Sequence, residues 1–366
     1  MNEALRKLRS QFDWPLALAT LAVLGIGLVN LYSATRVAPK GIYWQQFLWL
    51  GVGTVCFIVA ASVDYRIYER LAPLVYGLCL VLLVAVLLFG RNVNGSRRWF
   101  GIAQVGVQPS ELMKLGVILM LAKLGAGDPT EMSRRGISLV GTFLALLLVP
   151  VVLIYLQPDL GTAMLLYVIG FSMLLLSPFF WGHKLLAFFV APTLAAIRLA
   201  LGLKGYQKKR LLTFLDPSSD PSGAGYHARQ SVYAIGSGRW SGKGWLHGTQ
   251  NQLRFLPEQW TDFPFAVWAE EWGFVGGLAL LGCYLFLILW ALGVSATARD
   301  RFGQLLALGV CALLFWHVVI NVGMVTGVLP VVGVTLPLVS YGGSSLLTIL
   351  IAIGLLMNVS IRRYSY

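Results

Sequence analysis

The sequence predicts an all-α integral membrane protein of ten transmembrane helices, with one long ordered extracytoplasmic loop between the seventh and eighth. Three observations carry that prediction. Of 366 residues, 57% are apolar and only 12% are charged, about half the roughly 25% charged share of a soluble domain. Apolar runs of about twenty residues, the length that crosses the hydrocarbon core of a bilayer, recur along nearly the whole chain. The runs are continuously apolar, which excludes the period-two alternation of an outer-membrane barrel.

The spans fall at about 14–34, 43–62, 72–90, 108–125, 137–156, 160–178, 184–203, 264–293, 304–327 and 337–360. An even count puts both termini on one side, and basic residues say which side. Arg6, Lys7, Arg9, Arg362 and Arg363 at the ends join Arg66, Arg70, Lys123, Arg134, Arg135, Lys184, Arg299 and Arg301 in the loops of that side. These thirteen stand against Arg36, Lys40, Arg91, Arg97 and Arg98 in the opposite short loops, so the termini are predicted to be cytoplasmic. The opening MNEALRKLRSQFDW is basic, and the apolar run behind it is too long for a signal peptide; it reads as a cytoplasmic anchor. Cys56, Cys79, Cys283 and Cys311 each sit inside an apolar run without C-x-x-C spacing, which supports neither a disulfide framework nor a zinc site.

The chain reads as one polytopic domain, 1–366, with the loop 204–263 inside it. That loop is longer than an ordinary structureless connection and mixes turn formers and aromatics with eight basic residues. It is expected to be ordered on the outer membrane surface, with YHARQSVYAIGSG forming a short helix ended by Gly236 or Gly238. The net charge of +13 is only partly explained by topology. Nucleic acid is a poor match for a basic surface facing away from the cytoplasm. A phosphorylated lipid headgroup fits better, because Arg and Lys donate charge-assisted bonds to phosphate oxygens.

Ionisable residues at membrane depth are functional suspects by default. Glu111 and Lys114 in QPSELMKLGV lie three apart on one helix face, where they can neutralise each other, and Pro109 suits that helix's first turn. Asp159 in LQPDLGT sits at a turn between two spans. LPEQWTDFPFAVWAEEWGFVGG, from Leu256 to Gly277, places Glu258, Asp262, Glu270 and Glu271 within fourteen residues. Thr261 or Asp262 could cap the helix that follows. Glu270 and Glu271 come two turns later, beyond the reach of the helix dipole, so one must face a cavity, a polar partner or another helix. VSYGGSS (339–345) suits a helix-packing or loop element better than a nucleophile elbow. There is no phosphate-binding loop, no dinucleotide fingerprint, and no clustering of His183, His227, His247 and His317. An enzyme built this way would take an already activated substrate arriving through the bilayer.

LDPSSDPSGAGYHARQSVYAIGSG (215–238), GKGWLHGTQNQLRFLPEQWTDFPFAVWAEEWG (242–273) and GMVTGVLPVVGVTLPLVSYGGSS (323–345) resemble the SEDS proteins, as do GVQPSELMK (106–114) and LQPDLGT (156–162). The likeness covers nearly the whole chain and is nearer to the rod-shape branch of the family than to its division branch. It implies ten spans with cytoplasmic termini in a bacterial inner membrane, and glycan-strand polymerisation from lipid II on the outer side. The family's essential loop aspartate falls on Asp262, and its other sensitive polar positions on Glu111, Lys114, Asp159 and the pair Arg97–Arg98. Relatives commonly carry a basic or imidazole residue where this chain has Gln259 and Trp260.

Donor linkage α and product linkage β call for a single inverting displacement, in which one base suffices rather than a pair at glycosidase spacing. On that reading Asp262 is the general base, and Arg97, Arg98, Lys114, Lys208, Lys209 and Arg210 are candidates for the pyrophosphates. Glu111 would hold Lys114, Asp159 would order the cavity or a cation, and Glu258, Glu270 and Glu271 would support the site. No cofactor or protein metal site is evident, while a divalent cation, Mg²⁺ or Mn²⁺, is compatible with a pyrophosphate substrate. The resemblance also implies a class B penicillin-binding protein as partner, with other elongation-complex proteins and no nucleic acid. Its membrane helix is expected beside the eighth and ninth spans, where GFVGGLALLG (273–282) would permit close approach. The competing readings are a lipid II flippase, which hydropathy alone does not separate from a polymerase, and a non-catalytic scaffold. Placement of the loop and Asp262 on the outer side only favours the enzyme.

Overall fold

The computed structural model describes residues 12–37, 41–93, 96–102, 105–127, 129–176, 213–214, 223–256 and 258–363. Its helices are α1 (Trp14–Thr35), α2 (Ile42–Ser62), α3 (Tyr65–Phe89), α4 (Pro109–Gly125), α5 (Pro129–Leu156), α6 (Leu160–Leu176), α7 (Ala224–Gly238), α8 (Thr249–Gln252), α9 (Pro264–Ala296), α10 (Arg301–Val325) and α11 (Gly343–Arg362). Seven of them, α1, α2, α3, α5, α9, α10 and α11, are long and apolar enough to cross a membrane. Nine of the ten predicted spans fall on a described helix. The seventh, 184–203, lies outside the described residues, as do Lys208, Lys209 and Arg210. Within the long loop, α7 ends at Gly238, one of the two glycines expected to stop it.

The all-α expectation needs one correction. Strands β1 (Arg91–Val93), β2 (Ser96–Ile102) and β3 (Val105–Val107) form a small antiparallel sheet in that order. Val93 pairs with Ser96, and Phe100 with Val107. In sequence, Asn94-Gly95 stands between β1 and β2, a strong hairpin signal. A search for long apolar runs passes over strands this short.

Helices α10 and α11 form the buried centre: 78% of each apolar window is enclosed by protein, against 17% for α2. Around them, α10 packs on α4, α6, α9 and α11, while α2 leans on α11 and α1 on α9. Lipid is as apolar as leucine, so packing and interhelical hydrogen bonds, rather than hydrophobic burial, close such a bundle. Several buried amides do this: Asn30 Nδ2 donates to the Pro264 carbonyl at 2.9 Å, and Asn358 Nδ2 to that of Ala60 at 2.6 Å. Each bond of this kind contributes about 0.6 kcal/mol on average.

One carboxylate fastens the start of the bundle to its end. Asp13 caps α1 by accepting from the Leu16 amide at 3.2 Å. It also accepts from Trp290 Nε1 on α9 at 2.9 Å and from the Ser360 hydroxyl on α11, with Arg363 3.7 Å away. The start of α1 therefore adjoins the end of α11. The opposite end of the bundle, where α4, α6 and α9 begin, carries Glu111, Asp159 and Asp262.

Candidate active site

Asp262 sits in a tight turn that precedes α9. The Glu258 carbonyl accepts from the amides of Thr261, Asp262 and Phe263 at 3.2, 3.0 and 3.4 Å. Pro264 then opens the helix with a pre-set φ. No side chain caps α9; Thr261 instead turns its hydroxyl to Glu258 Oε2 at 3.2 Å. The N-cap position itself falls on Phe263. The Asp262 carboxylate lies against Gly333, where an added Cβ would come 3.3 Å from Oδ2, and Gly333 itself has φ +73°. Asn321 Nδ2 on α10 donates to the Asp262 carbonyl at 3.0 Å and to that of Val334 at 2.6 Å.

Gln259 and Trp260 hold this turn in place. Gln259 is buried and donates to the Ala34 carbonyl of α1 at 2.8 Å. The Trp260 carbonyl accepts from the Tyr341 amide at 2.7 Å. The Tyr341 phenol donates to Gln45 Oε1 at 2.7 Å.

Glu111 and Lys114 meet as their spacing predicts, with Lys114 Nζ 2.7 Å from Glu111 Oε2 and the lysine wholly buried. That contact is an ion pair without the alignment of a hydrogen bond. Lys114 Nζ also lies 3.0 Å from His317 Nε2, and His317 Nδ1 lies 3.0 Å from the Thr335 carbonyl. The Thr335 hydroxyl continues to Ser345 Oγ on α11 at 2.7 Å. Segment 333–335 thus adjoins Asp262 at its first residue and the Lys114 network at its last.

Asp159 is a brace. Its carboxylate accepts from the Thr162 amide at 3.2 Å, capping α6, and from the Thr162 hydroxyl and Gln108 Nε2 at 3.1 and 3.0 Å. Arg98 NH1 lies 3.6 Å away, and the same guanidinium donates to the carbonyls of Gln157 and Pro158. The adjacent basic pair is therefore divided. Successive residues of β2 point to opposite faces: Arg98 is engaged with the start of α6, while Arg97 is exposed.

Glu270 and Glu271 dock the long loop onto α9. Glu270 Oε1 meets Lys243 Nζ at 2.6 Å, the Gln250 amide at 3.0 Å and the Thr249 hydroxyl at 3.2 Å. Glu271 accepts from the Ser33 hydroxyl of α1. The helix is interrupted just beyond them, at Gly273, with φ +65° and ψ −162°. The backbone groups released there are taken up by the loop: Lys243 and Gly244 amides donate to the Glu270 and Glu271 carbonyls, each at 3.0 Å. In return the Phe274 and Val275 amides donate to Arg239 and Trp240 at 2.8 and 3.1 Å. Such a break persists only when every freed polar group is satisfied.

His317 and Asn321 were not singled out by the sequence reading. Their signal was present: two polar residues four apart on an apolar helix share a face. Ser344 was also missed; its hydroxyl accepts from the Gln108 amide at 3.0 Å and ties α11 to α4. The result is a carboxylate on a braced turn and a buried ammonium held by separate partners, at one end of a membrane-type bundle. Base help and fixed charge are what transfer of a group off a charged leaving group draws on.

Residues 14–365 match the family model described as cell cycle protein of the FtsW, RodA and SpoVE type. The chain is 42% identical over 353 residues to the peptidoglycan glycosyltransferase MrdB of Escherichia coli K12, covering 96% of this chain and 94% of that one. Among solved structures, a chain from one described as the structural coordination of polymerization and crosslinking by a peptidoglycan synthase complex superposes with a TM-score of 0.83. It is 34% identical and covers 97% of this chain and 99% of that one. The crystal structure of the Thermus thermophilus rod shape determining protein RodA gives a TM-score of 0.70 at 32% identity, over 97% of this chain and 98% of that one. The chain belongs to the FtsW/RodA/SpoVE family of multi-pass membrane proteins, the SEDS proteins.

Proposed function

We propose that this protein is a peptidoglycan glycosyltransferase of the bacterial inner membrane that polymerises glycan strands from lipid II for cell elongation. The observation that carries the reading is Asp262: a carboxylate set against Gly333, on a turn held by the Gln259 side chain to α1, by Asn321 of α10 and by the Tyr341 amide. The Asp262 carboxylate takes the proton from the 4-hydroxyl of the incoming disaccharide. The hydroxyl oxygen forms its bond to the anomeric carbon of the growing strand as the bond to undecaprenyl pyrophosphate breaks, inverting that centre. General-base help of this kind contributes about 10²–10⁴-fold. Lys114, held by Glu111, supplies fixed positive charge for the pyrophosphate, with Arg97 as a second cation and Lys208, Lys209 and Arg210 as further candidates. Arg98 and Asp159 act by bracing β2 against α6, while Glu258, Glu270 and Glu271 support the turn and the docked loop.

Among the described residues no three His, Cys, Asp or Glu side chains converge, so a Mg²⁺ or Mn²⁺ ion would ride on pyrophosphate oxygens rather than in a protein cage. Ten spans, cytoplasmic termini and an extracytoplasmic site complete the reading; the contact of Asp13 with Ser360 supports it by holding the start of the first helix and the end of the last on one side, opposite Asp262. The partner is a class B penicillin-binding protein. Phe274, Leu278, Leu285 and Leu289 of α9 are exposed along one stripe that its membrane helix would cover. The test is polymerisation of lipid II by the purified protein, with and without such a partner, read as glycan length on a gel. Wild type is expected to form polymer and Asp262→Asn none. Near wild-type synthesis by the variant removes Asp262 from the reaction, and translocation without polymer in sealed vesicles identifies a flippase instead.

A further inference from the structure

We infer that His317 is the positioning residue that aims the Lys114 ammonium, by tying it to the same 333–335 segment that flanks Asp262. The inference rests on the glycosyltransferase reading and assigns a role to a residue that reading does not use. His317 is buried on α10, with Lys114 Nζ 3.0 Å from Nε2 and the Thr335 carbonyl 3.0 Å from Nδ1. An ammonium has three donors and no acceptor, and a carbonyl accepts only. Nε2 must therefore be the unprotonated nitrogen and Nδ1 must carry the hydrogen, an assignment made by the partners themselves.

A buried neutral histidine offers one donor and one acceptor, and packing alone does not call for a charged neighbour. Here both nitrogens are used, and one is used on a buried cation whose other close contact, with Glu111, lacks hydrogen-bond alignment. Glu111 supplies the neighbouring charge, while the directed bond that orients the ammonium goes to His317. One turn further along the same face of α10, Asn321 holds Val334 and the Asp262 carbonyl. A single face of α10 thus fixes the base and the cation against consecutive residues of one segment, which sets their separation.

Asparagine and glutamine divide the two functions of the imidazole. The asparagine amide reaches only the position of Nδ1 and keeps the Thr335 bond; the glutamine amide reaches the position of Nε2 and can accept from Lys114. Purified full-length variants are compared for kcat and KM in lipid II polymerisation, and for affinity toward fluorescent lipid II. His317→Asn is expected to lower kcat/KM by about 10- to 100-fold, the scale of a misplaced reacting group, while His317→Gln stays near wild type. In a Lys114→Gln background His317→Asn should add no further loss, since both act through one ammonium. Equal activity of the two amides, or an undiminished asparagine effect in the Lys114→Gln background, overturns the assignment. A fold that rejects both amides does the same, in favour of simple packing. Failure of wild type to polymerise counts against the glycosyltransferase reading instead. In that case lipid II binding decides: His317→Asn is expected to weaken it as Lys114→Gln does, and wild-type affinity would overturn the positioning role.

Discussion

Asn321 Nδ2 lies 3.0 Å from the Asp262 carbonyl and 2.6 Å from that of Val334, so one amide on α10 joins the turn before α9 to the segment before α11. Replacing it with leucine leaves both carbonyls without that donor, at about 1–3 kcal/mol for each buried group left unpaired. The turn would also shift, and a displacement of 1 Å at a reacting group can reduce rate by about 10²-fold. Asn321→Leu is expected to lower kcat for lipid II polymerisation at least tenfold, on the scale of roughly 10², while remaining folded at assay temperature. A variant with full kcat would show that Asp262 is held without this bond.

Arg97 and Arg98 are neighbours in sequence with different work to do. Arg98→Ala removes donors from the Gln157 and Pro158 carbonyls and a cation from Asp159. It should lower the melting temperature by several degrees, the scale of about 1–2 kcal/mol. Arg97→Ala should leave melting unchanged and raise KM for lipid II, as loss of uniform binding does. Equal thermal shifts in the two variants would contradict the division of the pair.

The Glu270–Lys243 contact predicts a protease phenotype. Glu270→Gln keeps the shape but removes the charge that holds Lys243, Thr249 and Gln250. Local opening of the loop should become about tenfold more frequent for each 1.4 kcal/mol lost. Limited trypsin digestion reads this directly, because Lys243 is itself a cleavage site. Faster cutting after Lys243 is expected, and an unchanged rate would mean that the backbone exchange at Gly273 alone secures the loop.

Gly273 has φ +65° and ψ −162°, a region essentially reserved for glycine. A Cβ there would also come within 2.7 Å of the Trp240 carbonyl. Gly273→Ala is therefore expected to cost about 3 kcal/mol or more in strain and clash, and to reduce the yield of folded protein. Gly282, also in the glycine run, has open space where a Cβ would stand, and Gly282→Ala should be neutral to stability. Equal tolerance at both positions would refute the kink.

Much of this was legible in the sequence, for a physical reason. Helices in lipid must be long, apolar and internally hydrogen-bonded, so windows such as 14–34 and 108–125 lie close to α1 and α4. The Glu111–Lys114 pair was legible because an i,i+3 spacing fixes proximity on any helix. What escaped depends on contacts between distant segments. His317 gains its meaning from Lys114 and Thr335, two partners on other elements that spacing along α10 does not reveal. Glu270 and Glu271 presented the same difficulty: periodicity showed that they needed a partner, but Lys243 and Ser33 became neighbours only through the fold. The basic pair in β2 was read as a unit because its strand was too short to be recognised.

The fastening of Asp13 by Trp290 and Ser360 bears on how the protein is made. Translation delivers α1 first and the Ser360 turn of α11 almost last, so the nascent chain inserts with that carboxylate short of partners from two later helices. The first helix can be locked to the last only after Ser360 has been made. A chain truncated before Ser360 would carry the earlier helices with the lock still open.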